Sequence, residues 1–213
     1  MKRSLHIIIF MLYSVYMQAQ TLNAIAITAG VSASNQKFLT FDPASASRKS
    51  YLLGYNASVF AEIFSHDNFR WVTELQYNQK GSIDRRENAS FANKLHYINW
   101  NNYLKYRYEM YSIIPYALLG PRLEFNILQN TTSPEITNKF LPVHISPAIG
   151  AGVEFVNYFN IKFFAEAFYN PALMPAYIST STHVWNNNVE LRVGLKYEMK
   201  TRNESCNTPT YIE

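Results

Sequence analysis

The sequence predicts an all-β fold, an eight-stranded, antiparallel, up-and-down transmembrane β-barrel. Three observations lead to it: apolar and polar residues alternate, loops alternate between long and short, and strand charges share one face. The alternation is clearest in the segment 97–110, YINWNNYLKYRYEM, where even positions are mainly apolar or aromatic and odd positions mainly polar or charged. Because successive side chains of a strand point to opposite faces, this segment has one apolar face and one polar face.

Alternating segments recur along the chain and are separated by breaks rich in turn residues. We expect strands at 22–34, 50–64, 69–80, 93–110, 113–128, 141–156, 161–171 and 184–199. Long breaks come after the first, third, fifth and seventh strands, and short breaks after the second, fourth and sixth. Outer-membrane barrels have this arrangement, with an even number of strands, short periplasmic turns and long external loops.

The two strand faces predict which solvent each one meets. One face is apolar, as at Tyr51, Leu53 and Tyr55, and the other carries nearly all strand charges, with Glu109 and Lys196 among them. Eight strands enclose a space that side chains can fill. A soluble core lined by so many ionisable groups carries a heavy desolvation cost. The apolar face is therefore predicted to meet lipid, and the charged face to line the lumen.

Ten of the inward charged residues are predicted to form a structural network of salt bridges. They are Glu62, Glu74, Lys105, Arg107, Arg122, Glu124, Glu154, Glu166, Glu190 and Arg192. Within this set, Arg122 with Glu124 and Glu190 with Arg192 are two residues apart on one strand face, a spacing that suits a ladder of neighbouring charges. The ten residues are therefore expected to stabilise the lumen rather than to catalyse a reaction.

Glycines and prolines refine the prediction for the strands. Six glycines fall on the charged face, where small residues leave room for large side chains in a narrow lumen; they are Gly30, Gly54, Gly120, Gly150, Gly152 and Gly194. Proline lacks the backbone donor that a closed barrel needs. We expect strand ends or bulges at Pro115 and Pro171, and local bulges at Pro121 and Pro147.

The ends of the chain differ from the predicted barrel domain, which spans 20–199. Residues 1–19 have the features of a secretory signal peptide: a basic start at Lys2 and Arg3, a short apolar stretch and a small residue, Ala19, before the cleavage site. Residues 200–213 form a polar C-terminal tail that contains Cys206, the single cysteine, so no internal disulfide is possible. These features predict export through a cleaved signal to the bacterial outer membrane.

Composition and motifs exclude several classes of function. Removing Lys2 and Arg3 leaves 17 basic residues against 15 acidic ones, which gives no basis for nucleic-acid binding. No His/Cys/Asp cluster has the spacing of metal ligands, and Gly150-Ala151-Gly152 lacks the strand-to-helix context of a dinucleotide loop. We therefore predict no catalytic, cofactor-binding or metal-binding residues and no cofactor.

A lipid-modifying barrel enzyme is the catalytic alternative, and it needs a nucleophile and a base on the outer surface. Four histidines lie beyond the signal peptide: His66, His96, His144 and His183. His183 with Ser181 is the best candidate pair. No acidic residue nearby is placed to orient His183.

Several stretches resemble the porin-type outer-membrane β-barrel family typified by the PorT-like proteins of Gram-negative envelopes. The matching motifs are the runs LKYRY at 104–108, PY at 115–116, GP at 120–121, GAGVEF at 150–155 and LRVGLKYEM at 191–199. The resemblance implies the barrel fold and the outer-membrane location, and it associates some members with secretion and gliding machinery. Met199 stands where the family usually has an aromatic residue that closes the last strand.

The expected function is structural or interactive, with long loops presented to a partner. The expected partners are outer-membrane lipid, lipopolysaccharide (through basic loop residues such as Arg85 and Arg86) and a possible envelope protein, around a monomeric barrel. A small diffusion channel is a further alternative, against which the inward Phe60, Phe164 and Phe168 argue. A soluble periplasmic ligand-binding barrel is another.

Overall fold

The computed structural model describes residues 22–40, 49–66, 68–86, 89–132, 140–155, 160–178 and 182–199. The predicted signal peptide, 1–19, and the predicted tail, 200–213, lie outside the described residues. In the described ranges, no helix is long and apolar enough to cross a bilayer.

Within these described ranges, nine strands form a single antiparallel sheet. They are β1 (Leu22–Thr40), β2 (Lys49–His66), β3 (Phe69–Arg86), β4 (Ala89–Arg107), β5 (Ile113–Thr131), β6 (Val143–Phe155), β7 (Ile161–Asn170), β8 (Tyr177–Ile178) and β9 (Thr182–Glu198). From β1 to β7 each strand pairs with the next one, β7 pairs with β9, and β9 pairs back to β1, which closes the sheet. The two residues of β8 add only a short pairing to β9. The predicted eight-stranded up-and-down barrel is confirmed.

The strands are longer at the long-loop end than the sequence predicts. The break expected at 81–92 is mostly a paired hairpin, in which β3 and β4 continue from Gly81–Lys94 to Arg86–Ala89. Its polar and charged composition is typical of a loop, yet the ladder continues and Ser82, Asp84 and Asn93 remain buried. The expectation for Glu109 was also wrong. β4 ends at Arg107, so Glu109 is exposed in the turn before β5.

The outer face carries a band of apolar residues on each long strand. The outward positions of the bands at 25–33, 69–77, 98–106 and 189–197 are apolar except for Thr73 and Asn102. Each band is nine residues long, which matches the roughly 9–11 residues that a tilted strand needs to span a bilayer. Above the bands, the outward positions become polar at Asn35, Gln79 and Asn187. The strands therefore extend beyond the membrane at their long-loop end.

The four prolines in or near strands lie where a strand ladder ends or is interrupted. Pro115 lies just beyond the last β4–β5 pair, which is Arg107 with Tyr116. Pro121 falls in a gap in the same ladder, between the Asn101–Arg122 and Leu104–Leu119 pairs. Pro171 comes directly after the end of β7, and Pro147 of β6 lies beyond the last β6–β7 pair. The barrel therefore accommodates these prolines where a ladder is incomplete, and the bulges expected at Pro121 and Pro147 are not found, because the β5–β6 register runs through both without a shift.

Candidate functional site in the barrel lumen

An ion-pair cluster lies in the lumen near the short-turn end. Nζ of Lys105 is 2.6 Å from Oε1 of Glu62 and 2.5 Å from Oε1 of Glu154. The other oxygen of Glu154 lies 2.6 Å from Nζ of Lys196 and 3.3 Å from a terminal nitrogen of Arg107. All five side chains are buried and come from β2, β4, β6 and β9, so the cluster joins strands from across the barrel.

A second cluster crosses the middle of the lumen. Arg192 of β9 donates to Oε1 of Glu74 at 2.6 Å and to Oε2 of Glu166 at 2.8 Å. Arg122 of β5 donates to Oε1 of Glu190 at 2.6 Å. Charged groups that are buried and paired in this way need further hydrogen bonds to offset their loss of water.

Amide side chains supply those hydrogen bonds around Glu190. The Nδ2 groups of Asn78, Asn170 and Asn188 each donate to Oε1 of Glu190 at 2.8 Å, and Nε2 of Gln76 donates to Oε2 at 2.7 Å. The donors come from β3, β7 and β9, and all are buried. The carboxylate of Glu190 is therefore held by strands on several sides of the lumen.

The third cluster lies closer to the long-loop end. Nζ of Lys80 is 2.6 and 2.8 Å from the two oxygens of Glu124, and Oγ of Ser146 donates to Oε1 of Glu124 at 2.7 Å. Nε2 of His144 lies 2.8 Å from Oε2 of Glu124, and the His144 ring packs edge-on against Tyr97 at 5.2 Å between ring centroids. Glu124 therefore has a cation, a hydroxyl and an imidazole as its neighbours.

Aromatic rings fill the space between these charged groups. Phe60 and Phe164 meet edge to face at 5.7 Å, and Tyr103 lies 5.3 Å from Phe168. The guanidinium of Arg192 lies 4.1 Å from the Phe168 centroid, a cation–π distance. The described part of the lumen is thus packed with side chains rather than open along its axis.

Glycines make room for these rings, as the sequence predicts. A Cβ atom added to Gly152 would lie 2.5 Å from the Tyr116 ring, and one added to Gly194 would overlap the Phe164 ring. Either contact is far shorter than van der Waals distance. The two glycines therefore permit the aromatic rings to lie against the inner wall.

All ten residues proposed for the lumen network are buried, and each one takes part in an ion pair. The pairs join different strands, whereas sequence spacing had suggested neighbours two apart on one strand. Glu190 pairs with Arg122 rather than with Arg192, and Glu124 pairs with Lys80 rather than with Arg122. The curvature of a closed barrel decides which strands face each other across the lumen. The spacing of residues along one strand carries no information about these partners.

Sequence reasoning missed Lys80 and the asparagines around Glu190. Lys80 continues the inward alternation of β3 past Glu74, Gln76 and Asn78, so the alternation itself was the signal. The third strand was expected to end at residue 80, with a loop after it, and a lysine at that border was not assigned to the lumen. The asparagines carry no charge, and only the closed barrel shows that they converge on one carboxylate.

The histidines of the catalytic alternative do not come together. His183 points outward from β9, and Ser181 lies outside the described residues. His96 also points outward, with its Nδ1 2.5 Å from the Tyr77 hydroxyl. The residues that the structure describes include no group of three or more His, Cys, Asp or Glu side chains that could hold a metal ion.

An apolar cluster caps the lumen at the long-loop end. It consists of Leu95, Tyr97, Phe140, Ala176, Tyr177 and Val184, with Phe38 packed against it. Phe140 and Ala176 belong to connecting segments, and the others belong to strands. Residues of connecting segments therefore contribute to the packing at this end of the lumen.

Comparison with known proteins agrees with this geometry. Residues 18–177 match the family model described as outer membrane protein beta-barrel domain. The chain belongs to this family. Members of the outer membrane protein beta-barrel family lie in the bacterial outer membrane. A barrel in this location requires an apolar outer face and can have a polar inner face, as this one does. The narrower likeness to PorT-like proteins stays a prediction.

Solved structures share the fold of this outer membrane protein beta-barrel domain. OprG from Pseudomonas aeruginosa is 9% identical, with a TM-score of 0.58, and the match covers 84% of this chain and 97% of OprG. Neisserial surface protein A is 16% identical, with a TM-score of 0.50, and the match covers 83% of this chain and 99% of that protein. At these identities the likeness shows the fold alone. No curated protein matches the chain.

Proposed function

We propose that this protein is a non-conducting outer-membrane barrel that presents a surface outside the membrane to lipopolysaccharide or an envelope partner. The observation that carries the proposal is the extension of β1, β3, β4 and β9 beyond their nine-residue apolar bands. Strands of 17 to 19 residues are far longer than the roughly 9–11 needed to cross a bilayer. The additional length builds a paired, polar sheet above the membrane.

The packed lumen supports a structural role over a diffusion channel. Phe60, Phe164 and Phe168 are buried among ion pairs that link opposite strands. An ion passing along the axis would have to displace these rings and separate buried charges, and both steps are costly.

Single-channel recording in planar bilayers tests this part of the proposal. The wild-type barrel is expected to give no conductance steps. A Phe60→Ala/Phe164→Ala/Phe168→Ala variant, in which the rings are removed, serves as the comparison that shows whether an opened lumen is detected. Regular conductance steps from the wild-type protein would count against a non-conducting barrel.

Basic residues of the protruding surface support lipopolysaccharide as a partner. Arg85 and Arg86 lie at the tip of the β3–β4 hairpin, and Lys37 and Lys94 are exposed above the apolar bands. Lipopolysaccharide carries phosphates at the membrane surface, and arginine binds phosphate through two parallel hydrogen bonds.

Charge reversal tests the lipopolysaccharide contact. An Arg85→Glu/Arg86→Glu variant is expected to bind lipopolysaccharide vesicles more weakly than the wild type. The Arg85→Lys/Arg86→Lys variant keeps the charge and is expected to retain most of the binding. Equal binding by all three proteins would remove lipopolysaccharide from the proposal and leave an envelope protein as the partner.

Catalysis has no part in the proposed role. The outward His183 is the best candidate base in the sequence, and the lipid-modifying alternative depends on it. Replacing His183 with alanine is expected to leave the phospholipid and lipid A composition of the outer membrane unchanged. An altered lipid composition would favour the enzyme.

A further inference from the structure

The barrel wall has a gap between β6 and β7 at the long-loop end. The β5–β6 ladder continues from Ile113–Phe155 up to Phe125–Val143. The β6–β7 ladder stops at Ile149–Tyr169. Among the described residues, positions 143–148 of β6 therefore pair with a strand on one side only.

Two prolines make this gap a property of the sequence. If the β6–β7 register continued by two residues, Pro147 would face Pro171. Neither residue has an N–H group, so the ladder cannot continue there. On its other side Pro147 faces Pro121. This is a non-hydrogen-bonded pair, because neither proline has an N–H group to donate. In such a pair the backbone groups point away from the partner strand, so the Pro147 carbonyl points into the gap.

The segment 171–178, here called the strap, covers the gap. Its attachment is mainly to β9: the Ala172 amide donates to Oδ1 of Asn187 at 3.0 Å, and the Ala176 amide donates to the Val184 carbonyl at 2.7 Å. Towards β6 the described residues show one backbone hydrogen bond, from the Leu141 amide to the Ala176 carbonyl at 2.8 Å. In the described part of the chain, the seam between the strap and β6 is therefore joined by a single backbone hydrogen bond.

The outward side chains on both sides of this seam are apolar. On the outside, Leu173 is 64% exposed and Met174 and Ile178 are each 53% exposed. The outward side chains of β6 at the gap, Val143 and Ile145, are also exposed and apolar, like the surface that faces lipid. No lysine, arginine, aspartate or glutamate occurs in the strap or at 143–148.

Behind the strap lies the apolar cluster that caps the lumen. Ala176 and Tyr177 of the strap are fully buried in it, against Tyr97, Phe140 and Val184. Opening the seam would therefore connect the lipid-facing surface with this apolar cluster, while on the β6 side the inward His144 and Ser146 contact Glu124.

We infer that the seam between β6 and the strap admits a hydrocarbon chain of an outer-membrane lipid into this apolar cluster. The occupant is inferred from continuity, because the apolar outer face leads without a charged residue from the membrane to the seam. A peptide strand added to the free edge of β6 fits less well. Only Val143 and Ile145 direct both backbone groups towards the gap before Pro147 interrupts the edge, which is too short for strand addition.

Site-specific photocrosslinking in native outer-membrane lipid tests this inference. A benzophenone amino acid replaces Tyr177, which is buried behind the strap, and adducts are identified by mass spectrometry. Leu191, on the lipid-facing surface, serves as the positive control, and Tyr103, buried deeper in the lumen, as the negative control. We expect lipid acyl adducts at positions 177 and 191 and almost none at position 103. Absence of lipid adducts at 177, or protein adducts there instead, would overturn the inference.

A second variant tests the route. Pro147→Val with Pro171→Val restores both backbone donors and lets the β6–β7 ladder extend across the gap. In this background we expect the lipid adduct at position 177 to fall several-fold, while the adduct at 191 is unchanged. An unchanged adduct at 177 would show that lipid arrives by another route and would contradict the role given to the seam. Both measurements are independent of lipopolysaccharide binding and of conductance.

Discussion

A guanidinium nitrogen of Arg192 lies 2.6 Å from Oε1 of Glu74, and this contact joins β9 to β3 across the lumen. The two strands are separated in the sheet by β1 and β2, so the contact ties together parts of the wall that share no ladder. The second terminal nitrogen of Arg192 contacts Glu166 of β7 at 2.8 Å. One side chain thus links three strands of the closed barrel.

Replacing Glu74 with leucine should be strongly destabilising. It leaves Arg192 buried with less compensation, and breaking a buried pair by removing one partner costs about 3–5 kcal/mol. Changing all three residues of the group, as Glu74→Leu/Glu166→Gln/Arg192→Met, removes the unpaired charges and should cost less than Glu74→Leu alone. Urea unfolding in lipid vesicles, followed by the heat-dependent gel shift of the folded barrel, measures the unfolding free energies of the wild type and of both variants. A triple variant less stable than Glu74→Leu would contradict the role given to these ion pairs.

Gly152→Val should hinder folding because the added side chain meets the Tyr116 ring and the inner wall. Overpacking of this kind typically costs about 1–3 kcal/mol. The adjacent Ala151 points outward, so Ala151→Val adds the same bulk on the lipid side and should be close to neutral. The folded fraction after refolding into vesicles compares the two variants. Equal losses of folded protein would mean that Gly152 is not a packing position.

An arginine on the outer face should report the position of the apolar band. Val193→Arg places a charge at the middle of the band at 189–197, where such a change costs about 2–4 kcal/mol. Asn187→Arg places the same residue above the band, where the expected cost is about 0–1 kcal/mol. Unfolding free energies in lipid vesicles compare the two variants. Similar costs at both positions would move the membrane boundary assigned to β9.

Lys80→Met should destabilise the third lumen cluster, since Glu124 loses its nearest cation. Glu124→Gln in the same protein removes the uncompensated charge and should recover part of the loss. A double-mutant cycle of unfolding free energies measures this coupling, and additive effects would show that the Lys80–Glu124 contact contributes no interaction energy.

The alternation of apolar and polar residues predicts most of the fold. The pattern around Trp100 and Lys105 predicts both faces of β4 from the sequence alone, because the period of a strand is independent of its partners. The hairpin at 81–92 was missed, since its ladder is stabilised by pairing that a polar composition does not report. The facing of Pro121 and Pro147 was also missed, because residues far apart in sequence become neighbours only once the register is known. For the same reason, the sequence predicts which ten charged residues line the lumen but does not predict which of them form ion pairs with each other.

Lipid surrounds the apolar face of the barrel, and the charged groups are packed inside. Spin labels placed singly at positions 189–194 of β9, in a Cys206→Ser background, test this arrangement through their accessibility to oxygen, which concentrates in lipid. We expect an alternation with a period of two, with high oxygen accessibility at 189, 191 and 193 and low values at 190, 192 and 194. High oxygen accessibility at 190, 192 and 194, with low values at the odd positions, would contradict it.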